Sequence, residues 1–489
     1  MKIYNSKTHA KEDFRPIDEG RVRMYVCGPT VYDNIHIGNA RTFISFDVIR
    51  RWLIASGYEV TFAQNLTDVD DKIINRANEQ GRTAAEVAEE FSKKFIDVMH
   101  AANVMDPDVR PRATKEIGSM IGMIKTLIEG GHAYAADNGD VYFAVRSDPA
   151  YGEVSGRKID DLMVGARIAA GEAKRDPLDF ALWKAAKPGE PSWKSPWGEG
   201  RPGWHTECAA MVHRYLGCPI DIHGGGSDLA FPHHENECAQ ATCAWQEGFA
   251  NTWMHTGMLL VDGEKMSKSL GNFFTLEEVL EKHSAAALRL LMLQTHYRSP
   301  LDFSWERLAG AENSLGRIAG TVKNLVWAAR HAEGRPDAAL AQKLDAAVLA
   351  ARDEFERQMN DDFNTAGALA AYFQLVTDAN TYLDQAGSAV DVDVATGAAA
   401  SIAGAFKIRG IELPEPEEEL PVGLLGVAAG LCAYTGDDVS EAAEKILAAR
   451  AEARAAKNWD VADAIRDQLR DMGLMIEDTA AGSRIKYAK

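Results

Sequence analysis

Two segments far apart in the chain carry residue types suited to holding a polyphosphate. The first is H-I-G-N at His36–Asn39, within MYVCGPTVYDNIHIGNAR (residues 24–41). A strand that feeds a loop and then a helix leaves backbone N–H groups and the helix's positive end facing whatever binds there, and phosphate suits that end. Gly38 lets the backbone approach a ligand closely, and His36 and Asn39 add side-chain donors. Alone, these four residues are better explained as an N-capped helix with a core histidine. The second segment is K-M-S-K-S at Lys265–Ser269, within VDGEKMSKSLGN (residues 261–272). Lys265 and Lys268 can converge on phosphate as compact point charges. Alone, this stretch is an ordinary solvated loop. The pair, with sheet-forming segments between them, points to adenylation of some carboxylate.

A second group offers metal-ligand chemistry. Cys27 ends the first expected strand, Cys208 follows GWHTE (203–207), and His233 and Glu237 lie in FPHHENE (231–237). With Pro232 in the first turn of a helix, His233 and Glu237 fall four apart on one face. Two thiolates, an imidazole and a carboxylate make a mixed set that zinc accepts. The four are scattered, and spacing alone favours buried free cysteines and a core histidine.

The surrounding elements are those of an α/β protein. Arg21–Val26 and Glu59–Ala63 alternate with helical periodicity after His36 and over Asp71–Gln80, which opens a parallel sheet. Prolines and tryptophans change the pattern between 106 and 202, and sheet character returns with Pro219–His223 running into Gly224–Gly226. The expected organisation is a first catalytic half over 1–105, an inserted subdomain over 106–202 and a second catalytic half over 203–303. A helical bundle over 304–409 and a linker with a small C-terminal domain over 410–489 complete it. The chain has 489 residues, 46% of them hydrophobic and 26% charged, as in a globular protein. No apolar run reaches membrane-spanning length, and the polar start resembles no secretory signal. Six cysteines without a C-x-x-C pair indicate no disulfide framework and suit the cytoplasm. A net charge of −19 does not by itself suggest a nucleic-acid partner, although a local patch can still serve one.

The paired segments resemble the two signatures of class I aminoacyl-tRNA synthetases. That family's first motif commonly ends in histidine, where this chain has Asn39; an amide still donates hydrogen bonds but cannot take up a proton. CGPTVYD (27–33), NLTDVDDK (65–72), GWHTEC (203–208), DIHGGGSD (221–228) and FPHHENE resemble the cysteinyl-tRNA synthetase family, and the likeness runs over essentially the whole chain. The resemblance implies a Rossmann-like parallel-sheet catalytic domain with an inserted subdomain, then a helical bundle and an anticodon-binding domain. It implies ATP with Mg²⁺, L-cysteine and tRNA(Cys) as ligands, in a monomer. Cys27, Cys208, His233 and Glu237 would be ligands of one Zn²⁺ that binds the substrate thiolate, which serine's hydroxyl cannot imitate. Such a site needs no editing. His36, Gly38, Asn39, Gly225, Asp228, Lys265 and Lys268 would serve ATP, and Thr67 and Trp204 would line the amino-acid pocket. His234, Glu235 and Cys238 are weaker choices among the ligands, and Cys218, Cys243 and Cys432 have only packing roles.

In the C-terminal part, Trp459 could stack on a base, and Arg454, Asp463 and Asp478 could bond base edges. An amphipathic helix anchored by Trp459 explains the same residues equally well. One alternative shares the catalytic half: a cysteine ligase of the mycothiol pathway, which transfers cysteine to a sugar amine and lacks such a tail. A zinc-stabilised scaffold would give Lys265 and Lys268 no use. A small-molecule nucleotidyltransferase would not explain the four metal-ligand residues.

Overall fold

Four short, mostly buried runs become the parallel strands β1 (Arg21–Val26), β2 (Glu59–Ala63), β3 (Ile220–Gly226) and β4 (Ala250–Thr256) of one sheet, in the order β4-β3-β1-β2. Parallel strands need crossovers that cover the sheet, which is why even polar residues such as Asp221, His223 and His255 in them are buried. From the two central strands the chain leaves in opposite directions, β1 toward β2 and β3 toward β4. That makes the C-terminal ends of β1 and β3 a topological switch point, where α/β sheets bind ligands.

The computed structural model describes residues 1–159, 173–266, 271–414, 420–479 and 482–487. These form two units, Met1–Leu413 and Pro414–Lys489. In the first, α1 (Ile37–Ala55) follows β1, while α2 (Trp204–Leu216) and α3 (Glu235–Trp245) flank β3. A five-stranded antiparallel sheet occupies Ala133–Pro202. Residues at the start of the expected insertion belong with the central sheet instead, since Val109 pairs with Ala63 and Arg112 with Leu66. The Pro-rich composition there reflects a rigid chain beside β2, not the start of a new fold.

Four helices follow: α4 (Trp305–Arg330), α5 (Ala338–Met359), α6 (Thr365–Ala386) and α7 (Val392–Ile408). Their apolar faces continue the core that begins under the sheet. Buried Arg289 ties the two layers, pairing with Asp47 of α1 and donating to the Arg409 carbonyl at 2.8 Å. A buried pair of this kind is costly to break from one side, so it fixes where the bundle sits.

The second unit packs α8 (Leu424–Cys432), α9 (Val439–Ala455) and α10 (Trp459–Asp471) with the hairpin β5 (Leu474–Thr479) and β6 (Gly482–Tyr487). Its own small core includes Leu424, Ile446, Ile465 and Leu469. Among the described residues, no helix is long and apolar enough to cross a membrane.

Candidate functional site

A cleft of about 440 Å³ opens at the switch point, lined by Cys27 from the end of β1, by His36, Gly38 and Asn39, and by Trp204, Asp228, Lys265 and Met266. His36 is the N-cap of α1, and a capping box fixes its orientation. Its Nδ1 accepts the N–H of Asn39 at 3.2 Å, while Asn39 Oδ1 accepts the N–H of His36 at 3.4 Å. An accepting Nδ1 leaves the ring proton on Nε2, so His36 is a hydrogen-bond donor on its other edge. The same box turns the Asn39 oxygen to the backbone and makes its amide nitrogen the outward-facing donor. The two distant segments meet here. A Cβ on Gly38 would lie 2.8 Å from Met266 Cε and 2.9 Å from His36 Nδ1, so a side chain there would displace one or the other. Backbone bonds from Ile37 to the Phe274 carbonyl (3.1 Å) and from Leu276 to the Ile35 carbonyl (2.9 Å) hold the exit of the second segment against the first. Lys268 and Ser269 lie outside the described residues.

Beneath one wall, four ligands of three types converge. Cys27 Sγ lies 3.7 Å from Cys208 Sγ and 3.3 Å from Glu237 Oε1. His233 Nε2 is 3.8 Å from Cys208 Sγ and 2.7 Å from Glu237 Oε1. All four residues are buried, with their ligand atoms within 4.8 Å of one another. The backbone explains how scattered residues meet: the Cys27 N–H donates to the Gly224 carbonyl at 3.1 Å, clamping it to β3, while α2 carries Cys208, α3 carries Glu237 and the turn before α3 carries His233. One local expectation is corrected. Phe231 is extended (φ −141°, ψ 131°), and the regular helix begins only at Glu235. The turn across residues 230–234 still stacks His233 over Glu237.

Charge in the cluster is mutually induced. Burial resists ionisation of Cys208, but hydrogen bonds from Cys27 and His233 bring its thiol down to about 6. Burial and the neighbouring Cys208 hold the Cys27 thiol well up. His233 loses basicity to burial and regains more from Glu237, reaching about 10. Glu237 in turn stays ionised despite burial, held by His233 and His223. A thiolate, a carboxylate and a displaceable proton on imidazole are what a divalent ion would exchange into.

Residues the sequence did not single out surround this group. His223 Nε2 meets Glu237 Oε2 at 2.7 Å, and His205 Nδ1 meets His233 Nδ1 at 2.9 Å. His234 approaches Cys27 Sγ to 3.4 Å, so Cys27, His223, His234 and Glu237 form a second set that overlaps the first. His234, ranked low on sequence, therefore stands at the cluster. The set with Cys208 has the softer donors, two thiols, where the other has one thiol and a second imidazole, and zinc accepts such thiolates well. His223 lay inside the DIHGGGSD segment without a role of its own, and His255 of β4 carried no separate sequence signal.

The remaining expected residues lie around this cluster and in the second unit. Thr67 is buried, and its hydroxyl donates to Glu207 at 2.7 Å. A Cβ on Gly225 would meet His234 Cε1 at 2.9 Å, so its missing side chain makes room for the imidazole. Gly226 and Asp228 do line the cleft. Trp204 stacks on His233 with ring centroids 4.1 Å apart, joining the cleft to the cluster. Lys72, over the Tyr32 ring at 5.4 Å, lines the cleft and supplies a third cation that sequence reading passed over. Cys238 bonds weakly to Thr242 at 3.9 Å, and Glu235 accepts the N–H groups of Gly152 and Ser155, each at 2.8 Å. In the second unit, Trp459 begins α10 and is 56% exposed, so it anchors no core; Ile465 and Leu469 do. Asp463 pairs with Arg466 at 2.9 Å, Arg454 lies in the last turn of α9, and the Asp478 side chain is outside the described residues.

A family model described as tRNA synthetases class I (C) catalytic domain matches residues 13–313. A DALR domain model matches 354–412, and one described as Cysteinyl-tRNA ligase anticodon binding domain matches 436–485. The Cysteine–tRNA ligase of Pseudomonas paraeruginosa is 46% identical over 492 residues, covering 100% of both chains. That of Desulfitobacterium hafniense is 46% identical over 486 residues, covering 99% of each. Among solved structures, the Mycobacterium tuberculosis methionyl-tRNA synthetase in complex with methionyl-adenylate aligns with a TM-score of 0.62 at 15% identity, over 81% of this chain and 92% of that one. The Thermus thermophilus arginyl-tRNA synthetase aligns with a TM-score of 0.54 at 14% identity, over 83% and 84%. At these identities the structural likeness establishes the fold alone.

Proposed function

Because this chain belongs to the cysteine–tRNA ligases of the class I aminoacyl-tRNA synthetases, we propose that Cys27, Cys208, His233 and Glu237 hold the zinc that selects its substrate, and that the adjoining cleft holds ATP with Mg²⁺. The enzyme joins cysteine to tRNA. The anticodon-binding match at 436–485, within a likeness over the full length, disfavours transfer to a sugar amine. The observation that carries the zinc assignment is the convergence of four buried donors beside Trp204 and the cleft. A zinc ion there would supply a thiophilic centre for the substrate's sulfur, a position a serine hydroxyl cannot satisfy.

In the first half-reaction the cysteine carboxylate attacks the α-phosphorus, a carboxyl–phosphate bond forms, and pyrophosphate leaves in line. The protein supplies position and charge. The His36 Nε2–H, the Asn39 amide and the N-terminus of α1 face the phosphates, and Lys265 and Lys268 close over them. Asp228 and the Gly225–Gly226 backbone lie toward the nucleoside. Trp204 and Thr67 serve the amino-acid pocket, Thr67 with its hydroxyl held by Glu207. In the second half-reaction a terminal tRNA hydroxyl attacks the carbonyl, and AMP leaves. Arg454, Trp459, Asp463 and Asp478 are our assignment for anticodon contacts. A monomer suffices for these roles. The six cysteines are all free, which fits a reducing cytoplasm.

ATP–pyrophosphate exchange, run with each amino acid in turn before and after chelation, tests the zinc assignment. Exchange driven by cysteine alone, lost with the metal and restored by added Zn²⁺, is the expected result. Equal exchange with serine, or cysteine-driven exchange that survives complete chelation, would sink it. The tail has its own test. Deleting residues from Leu420 onward should leave exchange intact, because the first unit has its own core, and should sharply reduce aminoacylation. Unchanged aminoacylation would refute the anticodon assignments.

A further inference from the structure

One buried carboxylate beside the cleft is only half satisfied by the protein. Glu207 is fully buried in the first turn of α2, next to Cys208 and three residues after Trp204 of the cleft wall. Its Oε2 accepts the Thr67 hydroxyl at 2.7 Å, whereas Oε1 is buried with no hydrogen-bond partner among the described residues. Its leading charged neighbours, Cys208, Asp70 and Asp68, ionise as anions, so a cation is the missing partner. A buried carboxylate oxygen left unpaired is costly, and such an orphan in a native fold calls for an explanation.

The Thr67 hydroxyl is committed in a way that points to the same partner. A hydroxyl has one proton and two lone pairs. The proton goes to Glu207, and Asn65 Nδ2 donates to the same oxygen at 3.3 Å. One lone pair remains, so the hydroxyl can only accept from whatever comes next. Asn65 is itself fixed, because its Oδ1 accepts the Gly28 N–H at 2.8 Å. The backbone holds Thr67 against the loop that lines the cleft. Its N–H donates to the Pro29 carbonyl and its carbonyl accepts the Val31 N–H, each at 3.1 Å. Cys27, Gly28, Pro29 and Thr30 of that loop all face the cleft.

We infer that Thr67 and Glu207 form the seat of the substrate's α-ammonium group. Thr67 Oγ1 accepts one of its N–H bonds. Glu207 is a positioning residue, which orients that hydroxyl and contributes the opposite charge. Only two carbons separate sulfur from nitrogen in cysteine. A molecule whose sulfur is held at Cys27 and Cys208 therefore brings its nitrogen beside the chain neighbours of those residues, where Glu207 lies. An ammonium has donors only, and this pair offers acceptance only. The site thus selects α-amino thiols over thiols that lack the amine, because a group without donors leaves these acceptors unpaired. The inference rests on the reading of the cleft as the cysteine site and deepens it, since selection through sulfur places no demand on the nitrogen.

The probe is β-mercaptopropionate, which keeps the thiol and carboxylate of cysteine and lacks the amine. Its inhibition constant and the KM for cysteine are measured in ATP–pyrophosphate exchange for wild type, Glu207→Gln and Thr67→Val. Glutamine keeps the length and an acceptor for Thr67 but removes the charge, and valine keeps the shape of threonine but removes the hydroxyl. Each variant should raise KM for cysteine about tenfold or more, as expected when a hydrogen bond to a charged group is lost. The inhibition constant of β-mercaptopropionate should stay at its wild-type value. Zinc content and thermal unfolding of the same preparations check that Cys208 and the fold are preserved. Equal weakening of both molecules would overturn the inference, because it would show that the pair only shapes the pocket. An unchanged KM for cysteine in both variants would overturn it as well. Wild type supplies a test that needs no variant: cysteine should bind about tenfold or more tightly than β-mercaptopropionate, and equal binding would again overturn the inference. Any of these failures leaves cysteine-driven exchange by the wild type standing, whereas absence of that exchange would sink the underlying reading instead.

Discussion

Cys208→Ser is expected to lower kcat/KM for cysteine in ATP–pyrophosphate exchange by about 10³ or more, because a lost metal ligand removes several kcal/mol and each 1.36 kcal/mol is a factor of ten. Serine matches the cysteine in shape and sits in the same turn of α2, so packing of the buried helix is nearly conserved. What changes is ligand softness. The Cys208 thiol ionises near neutral pH because Cys27 and His233 bond to it, whereas a hydroxyl in its place would not. Metal analysis of the purified variant supplies a readout independent of activity, with zinc content expected to fall together with exchange. ATP binding, measured without amino acid, should persist because no nucleotide-facing residue is altered. Full zinc occupancy with exchange within tenfold of wild type would remove Cys208 from the ligand set and favour the overlapping group of Cys27, His223, His234 and Glu237.

The second large effect is expected at His36, where two roles can be separated. Asparagine is among the best N-cap residues, so His36→Asn should keep the start of α1 while removing the imidazole donor. Loss of one preorganised donor to the developing charge costs about 10²–10³ in the rate of the chemical step. Adenylate formation should therefore slow by that factor, with thermal stability and cysteine affinity close to wild type. His36→Ala should show the same slowing plus a destabilisation of about 0.5–2 kcal/mol from the lost cap. The capping geometry supports this division, because Nδ1 is committed to the Asn39 N–H and only Nε2 can reach outward. Equal losses in cysteine affinity and rate for His36→Asn would count against a role confined to the phosphates.

Much of the site was legible in the order of residues. The spacing of Cys27 and His36 along one strand–loop–helix placed a ligand type and a phosphate type at the same end of β1. Hidden from that reading was the layer behind it. His223 lay inside a motif without a role of its own, His255 carried no separate signal, and Glu207 is one letter in a helix start; their roles depend on partners 14, 21 and 140 residues away. Thr67 and Gly225 came from the family resemblance, and what only the fold adds is their neighbours, Glu207 on the Thr67 hydroxyl and His234 against Gly225.

By itself, the sequence determined the family and the reaction, because motifs spread over its length together match one family where each motif alone had a simpler explanation. Tertiary structure alone decided which scattered residues form one site. Cys27, Cys208, His233 and Glu237 come from three segments, and only the parallel order β3-β1, with α2 and α3 folded over the end of β3, brings their ligand atoms within 4.8 Å. The reason is physical. Local motifs are set by short-range sterics and hydrogen bonds, whereas pairings between residues 181 and 210 apart, as at Cys27, exist only once the sheet has closed.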